Sequence, residues 1–391
     1  MTRAPVNPRM VSWARQRVGL ERDDLVKKFK KLPQWETGEM KPTLKQLEDF
    51  ARMVHVPVGY FFLDEFPKED IPIPDFRTVA GQPVTDPSPD LLETIYACQE
   101  RQSWYRDFAL ATQESELDFI GSARVSMRPE KIAEAMGETL GFDLSTRKTC
   151  SDTDTLLRLL TNQAENAGVL VMGSGIVASN THRVLDTNEF RGFALADSLA
   201  PLIFINRTDS KTGQLFTLAH ELVHLWLGTS ALSNVNPESK SEISAQRREE
   251  TWCNKVAAEL LVPIANLREM TQESLAHHEE LSETLSRLEK TFKVSKLVLL
   301  RRLLDASYLD QEHFETAWEK ELMRLNALTQ TKSSGGNFRR TTLSQVGRKF
   351  AEALIISTLE GQTLYRDAFQ MLGVSGAETL NNLARELEAA G

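Results

Sequence analysis

The stretch Leu215–Leu227, LFTLAHELVHLWL, decides how this chain is read. Phe216, Leu218, Leu222, Val223, Leu225 and Trp226 recur with helical spacing, and Gly228 stands where a helix C-cap glycine belongs. On a helix, positions i and i+4 share a face. His220 and His224 can therefore hold one Zn²⁺, with Glu221 turned toward the side where an attacking water would lie. The plainer reading, two core or surface histidines on an amphipathic helix, leaves two polar rings among apolar flanks with no evident partner.

Two histidines do not complete a catalytic zinc site, which needs a third protein ligand. A second helical stretch, Arg247–Leu261 (RREETWCNKVAAELL), ends at Val262-Pro263 and supplies candidates. Its apolar positions are Trp252, Val256, Ala257, Leu260 and Leu261. Glu250, Asn254, Ala257 and Leu261 stack at three- and four-residue steps. That puts Glu250 on the inward-leaning edge as third ligand, with Asn254 one turn on as a donor behind the ligands. Glu249 is the alternative ligand; if Glu250 serves, Glu249 and Glu259 read as solvent-facing charges. Cys253 is either a small buried hydrophobe or a fourth ligand. His182, before a strand pair, is a loop histidine or a transition-state donor, and His55, His277, His278 and His313 read as surface residues.

Outward from the two helices, Gly168–Met172 is a short buried strand, and Phe190–Ala196 and Pro201–Asn206 are two more. The last two are expected to offer an edge for an extended peptide, with the polar loop Thr229–Gln246 as cleft wall or lid. Helices are expected over Leu91–Ala111, Glu130–Gly141, and from Asp152 or Thr153 to Ala167, and everything after Ser210 reads as helix and loop. A break falls at Lys332–Asn337. Residues 64–90 are proline-rich and read as an extended linker.

Residues 216–224 together with Glu250, Asn254 and the run to Pro263 resemble the ImmA/IrrE family of zinc metallopeptidases. Arg191-Gly192-Phe193, Pro201–Asn206, Phe292–Ser295 and Arg301-Arg302-Leu303 extend the likeness over roughly residues 150–305. The resemblance carries the metal-ligand glutamate onto Glu250. Cys253 and Val256 stand where the family has alanine and phenylalanine. It implies an α+β, mostly helical chain whose zincin-like core has a small sheet, flanked by helical N- and C-terminal regions. It also implies a zinc-dependent endopeptidase of regulatory type that cleaves a repressor or antitoxin-like partner, with Glu221 as general base. The competing expectation is a non-proteolytic antitoxin or transcriptional regulator using the same fold as a binding scaffold; the intact Glu221 favours chemistry, since a scaffold needs no base.

Residues 8–63 resemble a helix-turn-helix module of the XRE type through Trp35-Glu36-Thr37-Gly38-Glu39, Lys41-Pro42-Thr43-Leu44 and Val56–Phe62. From Gly19-Leu20 to Trp35 the spacing is about four residues short, one helical turn, and Leu32-Pro33 is expected to break the recognition helix. The segment Gly59–Leu63 reads as a compact aromatic plug. Residues 1–63 carry 12 Lys/Arg against 7 Asp/Glu, whereas the whole chain has net charge −9. Lys27, Lys28, Lys30 and Lys31 can grip phosphates, so weak DNA binding without sequence preference is expected through residues 1–63.

Composition excludes several classes. At 41% hydrophobic and 26% charged residues the chain is ordinary globular material. No run approaches the ~18 apolar residues of a membrane span, and the N-terminus lacks a secretory apolar core. Three cysteines without a CxxC pair argue for reduced thiols in a cytoplasm. The expected division is a helix-turn-helix-like module over 1–66, linker and helix over 67–128, the zinc peptidase domain over 129–305 and a C-terminal helical region over 306–391.

Overall fold

The computed structural model describes residues 3–18, 20–67, 71–74, 78–79, 82–83, 87–178, 180–233, 245–276, 280–328 and 338–388. They divide into two units, Met1–Pro72 with Val84–Ile95, and Ile73–Pro83 with Tyr96–Gly391.

In the first unit, α1 (Pro8–Arg17), α2 (Arg22–Val26), α3 (Leu32–Thr37) and α4 (Leu44–Met53) precede a 3₁₀ turn, Val58–Phe62. Asn7 caps α1, and Thr43 caps α4 in a capping box closed by Gln46. Met10, Ala14, Leu25, Leu32, Trp35, Phe50 and Phe61 are buried together. Pro33 does not break a helix. It lies in the first turn of α3, where the missing N–H would have had no partner, and α3 is six residues long. The aromatic plug is also only partly one: Phe61 is buried, while Phe62 and Leu63 are exposed. Glu36, 2% exposed, takes Arg15 Nε at 2.9 Å and Arg22 Nε at 2.7 Å.

The elements that follow are β1 (Thr78–Val79) and β2 (Gln82–Pro83), then α5 (Pro89–Ala111), α6 (Pro129–Leu140), α7 (Leu144–Arg147) and α8 (Thr153–Asn166). Next come β3 (Leu170–Ser174), β4 (Ile176–Val177), β5 (Asn180–Val184), β6 (Gly192–Leu195) and β7 (Leu202–Asn206). After α9 (Lys211–Leu227) and β8 (Ala231–Ser233) the chain is helical. It runs through α10 (Ala245–Leu261), α11 (Ile264–Ala276), α12 (Leu281–Phe292), α13 (Lys296–Asp305) and α14 (Gln311–Leu328). The last helices are α15 (Phe338–Val346), α16 (Arg348–Leu359), α17 (Tyr365–Leu372) and α18 (Ala377–Glu388). The chain is thus α+β and mostly helical, with a small mixed sheet, as expected. Among the described residues no helix is long and apolar enough to cross a membrane.

The sheet order is β3-β7-β6-β8, with β3 parallel to β7 and the other pairs antiparallel. This corrects the expected peptide edge: β6 and β7 are both interior, one bordered by β8 and the other by β3. β8 itself lies in the stretch read as a polar loop, and the β4–β5 hairpin was also unforeseen. Residues 234–244 of that loop, the break at 332–337 and His277-His278 lie outside the described residues. Side chains alternate across the sheet. Val171, Ala194, Ile203 and Ile205 join the core shared with α9 and α10, while Phe193 and Phe204 stack at 5.1 Å in the other layer.

Both site-bearing helices are fastened at their C-termini, where carbonyls lack intrahelical partners. For α9, Gly121 N–H donates to Leu225 O at 3.1 Å, Ala123 N–H to Trp226 O at 2.8 Å and Thr229 N–H to His224 O at 3.0 Å. Gly228 turns the chain at φ 71°, and a Cβ there would come within 2.8 Å of Gly121 Cα. For α10, buried Arg147 donates to Leu261 O at 2.6 Å and to Phe292 O at 3.1 Å. Arg302 donates to Val262 O and pairs with Glu259. Glu259 is therefore buried and accepts the Ile264 N–H at 3.1 Å, contrary to its reading as a solvent-facing charge.

Gly228→Ala is expected to destabilise the chain by at least about 1 kcal/mol, the cost of a left-handed non-glycine residue. The added methyl also crowds Gly121. Thermal unfolding measures it, with a lowered midpoint as the expected result.

Candidate metal centre

α9 brings His220, Glu221 and His224 into the core, and α10 packs against it with Glu249, Glu250, Cys253 and Asn254. All three α9 residues are 0% exposed. The sequence permits so deep a burial because nearly every other position from Leu215 to Trp226 is apolar or small. The sheet must also come close. A Cβ on Gly192 of β6 would lie 2.5 Å from Thr217 Cγ2, 2.9 Å from Phe204 O and 3.4 Å from Glu221 Cγ. Glycine at 192 is what lets the helix face carrying Glu221 rest on the strand.

His220 Nε2 and His224 Nε2 are 3.0 Å apart. Glu250 closes the triangle, with Oε2 3.2 Å from His220 Nε2 and Oε1 3.2 Å from His224 Nε2. Among the described residues this is the one group of three or more His, Cys, Asp or Glu that could hold a metal ion. The donor set fits zinc. Tetrahedral bonds of about 2.0–2.1 Å hold neighbouring donors roughly 3.3 Å apart, close to all three separations. Two neutral imidazoles and one carboxylate also leave a buried negative charge that a divalent cation balances. Burial pushes the Glu250 carboxyl up, but its contacts with His220 and His224 outweigh this and hold it well below the usual carboxylate range.

Glu249 is not simply solvent-facing. Its Oε1 accepts the Thr229 hydroxyl at 3.1 Å, and Thr229 Oγ1 is in turn 3.3 Å from His224 Nδ1. Sequence reading missed Thr229; its place directly after the C-cap glycine was the available signal. Cys253 Sγ lies 4.0 Å from His224 Nδ1, the nitrogen turned away from the triangle. Burial, then the carboxylates of Glu250, Glu249 and Glu221, push its thiol well above the ordinary value. It packs as a small hydrophobe, not as a thiolate ligand. Asn254 Oδ1 is buried without a hydrogen-bond partner among the described residues, so no hydrogen bond ties that oxygen to the triangle. His182 is exposed on β5, and His313 is exposed and paired with Asp310 at 2.8 Å.

Residues 164–304, which run from the end of α8 through α13 and include both site helices, match the family model described as the IrrE N-terminal-like domain, Peptidase_M78. Residues 346–386 match a domain of unknown function, DUF8813. No curated protein and no solved structure matches the chain. The first match supports the ImmA/IrrE family and a metallopeptidase for the segment that carries the triangle.

Single replacement of His220, His224 or Glu250 by Ala is expected to strip the purified protein of bound zinc, measured by elemental analysis. Full occupancy in Glu250→Ala would overturn the triangle as the site.

Proposed function

We propose that this chain is a zinc-dependent endopeptidase in which His220, His224 and Glu250 are the ligands and Glu221 is the general base. The observation that carries the reading is the His220–His224–Glu250 triangle between α9 and α10, whose two buried histidines share α9 with Glu221. A zinc ion in it supplies Lewis acidity and lowers the pKa of water. Glu221 takes the proton of the attacking water and passes it to the leaving amine. Glycine at 192 leaves the Glu221 stem its place beside β6, since a Cβ there would lie 3.4 Å from Glu221 Cγ.

The substrate we propose is a repressor or antitoxin-like protein. Support comes from the ImmA/IrrE resemblance, which implies a regulatory protease, and from the resemblance of residues 8–63 to a helix-turn-helix module. That module we read as a weak, sequence-independent DNA grip. Its α3 is one short helix, while Lys28, Lys30 and Lys31 are exposed beside it. Cys98, Cys150 and Cys253 are free and buried, in keeping with a reducing cytoplasm.

Glu221→Gln tests the chemistry. Gln fills nearly the same space, so zinc content and melting are expected to stay as in wild type. Cleavage of the genetically neighbouring protein is expected to fall by about 10²–10⁴, the general-base contribution. A variant that keeps the wild-type effect in cells would replace proteolysis by the scaffold function. For the module, mobility shifts between about 50 and 200 mM salt are expected to lose DNA steeply and equally for unrelated sequences; a tight site resisting competitor DNA would restore a repressor.

A further inference from the structure

Beside the triangle runs a second, outward chain of contacts that the proposed reaction does not use. His224 Nδ1 is 3.3 Å from Thr229 Oγ1, and Thr229 Oγ1 donates to Glu249 Oε1 at 3.1 Å. The direction of this chain follows from donor chemistry. An ionised carboxylate only accepts, so the single hydroxyl proton of Thr229 is committed to Glu249. The Thr229 oxygen then faces His224 with lone pairs alone. Two oxygens beside Nδ1, Thr229 Oγ1 at 3.3 Å and Glu249 Oε1 at 3.8 Å, are then both acceptors and favour the ring proton on Nδ1, which leaves the Nε2 lone pair for the triangle. Thr229 is itself held in place, because its backbone N–H donates to His224 O at 3.0 Å. Gly228 supplies the left-handed turn that brings it back over the helix end.

We propose that Thr229 and Glu249 are positioning residues for His224: the Glu249 carboxylate, acting through the Thr229 hydroxyl, holds the His224 ring in the tautomer and orientation that presents Nε2 to zinc. The adjacent glutamates of α10 thus divide the work. Glu250 meets the triangle directly, and Glu249 reaches the far side of one of its rings. The inference rests on the zinc site proposed above. Partners of this kind on a metal-binding histidine are worth about 10–100-fold in metal affinity.

The test is a zinc titration of the full chain against a chromophoric chelator, comparing wild type with Glu250→Ala, Thr229→Val and Thr229→Ser, with melting curves alongside. Thr229→Val keeps the shape and the backbone cap but loses the hydroxyl, and is expected to bind zinc about 10–100-fold more weakly. Thr229→Ser restores the hydroxyl and is expected to return close to wild type. Wild-type affinity in Thr229→Val, or equal weakening in Val and Ser, overturns the inference. Failure of wild type to bind zinc, or undiminished binding in Glu250→Ala, overturns the zinc site itself. ¹⁵N-histidine NMR of the zinc-loaded wild type reads the ring without any variant. Zinc on Nε2 and a proton on Nδ1 of His224 are expected, and zinc on Nδ1 with a protonated Nε2 overturns the inference.

Discussion

A carboxylate and two imidazoles share one buried volume between α9 and α10, and the second unit is arranged around that constraint. Polar groups moved out of water without compensation cost roughly 2–7 kcal/mol each, and three metal donors at 3.0–3.2 Å share one compensation, a cation placed between them. Donors that must meet within a few tenths of an ångström need supports that do not give. The supports are visible: α9 is surrounded by apolar neighbours along its length, its last carbonyls are taken by residues 121–123, and Arg147 and Arg302 hold the chain where α10 ends. Gly192 removes the one methyl that would keep helix and strand apart.

What was legible in the sequence was local. The helices α8, α9 and α10 announce themselves through spacing and punctuation: Asp152 and Gly228 as caps, and Pro263 as a stop. β3, β6 and β7 announce themselves as unbroken apolar runs, which strands buried on both faces require. What depended on distant partners was not legible. Glu259 looks like any surface charge until Arg302, 43 residues on, is seen to hold it. Glu249 and Glu250 differ by one step on one helix, and only α9 and the residue after its cap separate their surroundings. The three-residue β8 has too little pattern to be distinguished from loop, and its pairing with β6 reverses the expected view of which strands are exposed. Pro33 carried the right signal with the wrong sign, since a proline near a helix start and one in its interior look alike until the boundary is known.

The first unit shows how residues that carry a resemblance can serve its interior. Trp35 is buried against Phe29 and Phe50, and Glu36 takes two arginines, Arg15 and Arg22. Removing either arginine would leave a nearly buried carboxylate short of a partner, a larger penalty than a surface pair implies. Two of the basic residues that give this unit its positive excess are therefore engaged by an internal acid. The charge left facing solvent near α3 comes from lysines.

The borders of the four-stranded sheet have a consequence of another kind. A strand with an unpaired rim is a template on which a foreign segment can grow, and soluble proteins blunt such rims. Here the chain attends to both borders itself. At β3, Gly347 lies so close that a Cβ would come within 2.7 Å of Val171 O. At β8, Leu232 N–H is taken by Pro74 O at 3.0 Å. Proline brings an acceptor to that rim but no N–H of its own, so the sheet ends on a residue that cannot donate the next rung. At β8 that cover includes Pro74, from a proline-rich stretch that reads in the sequence as mere connection.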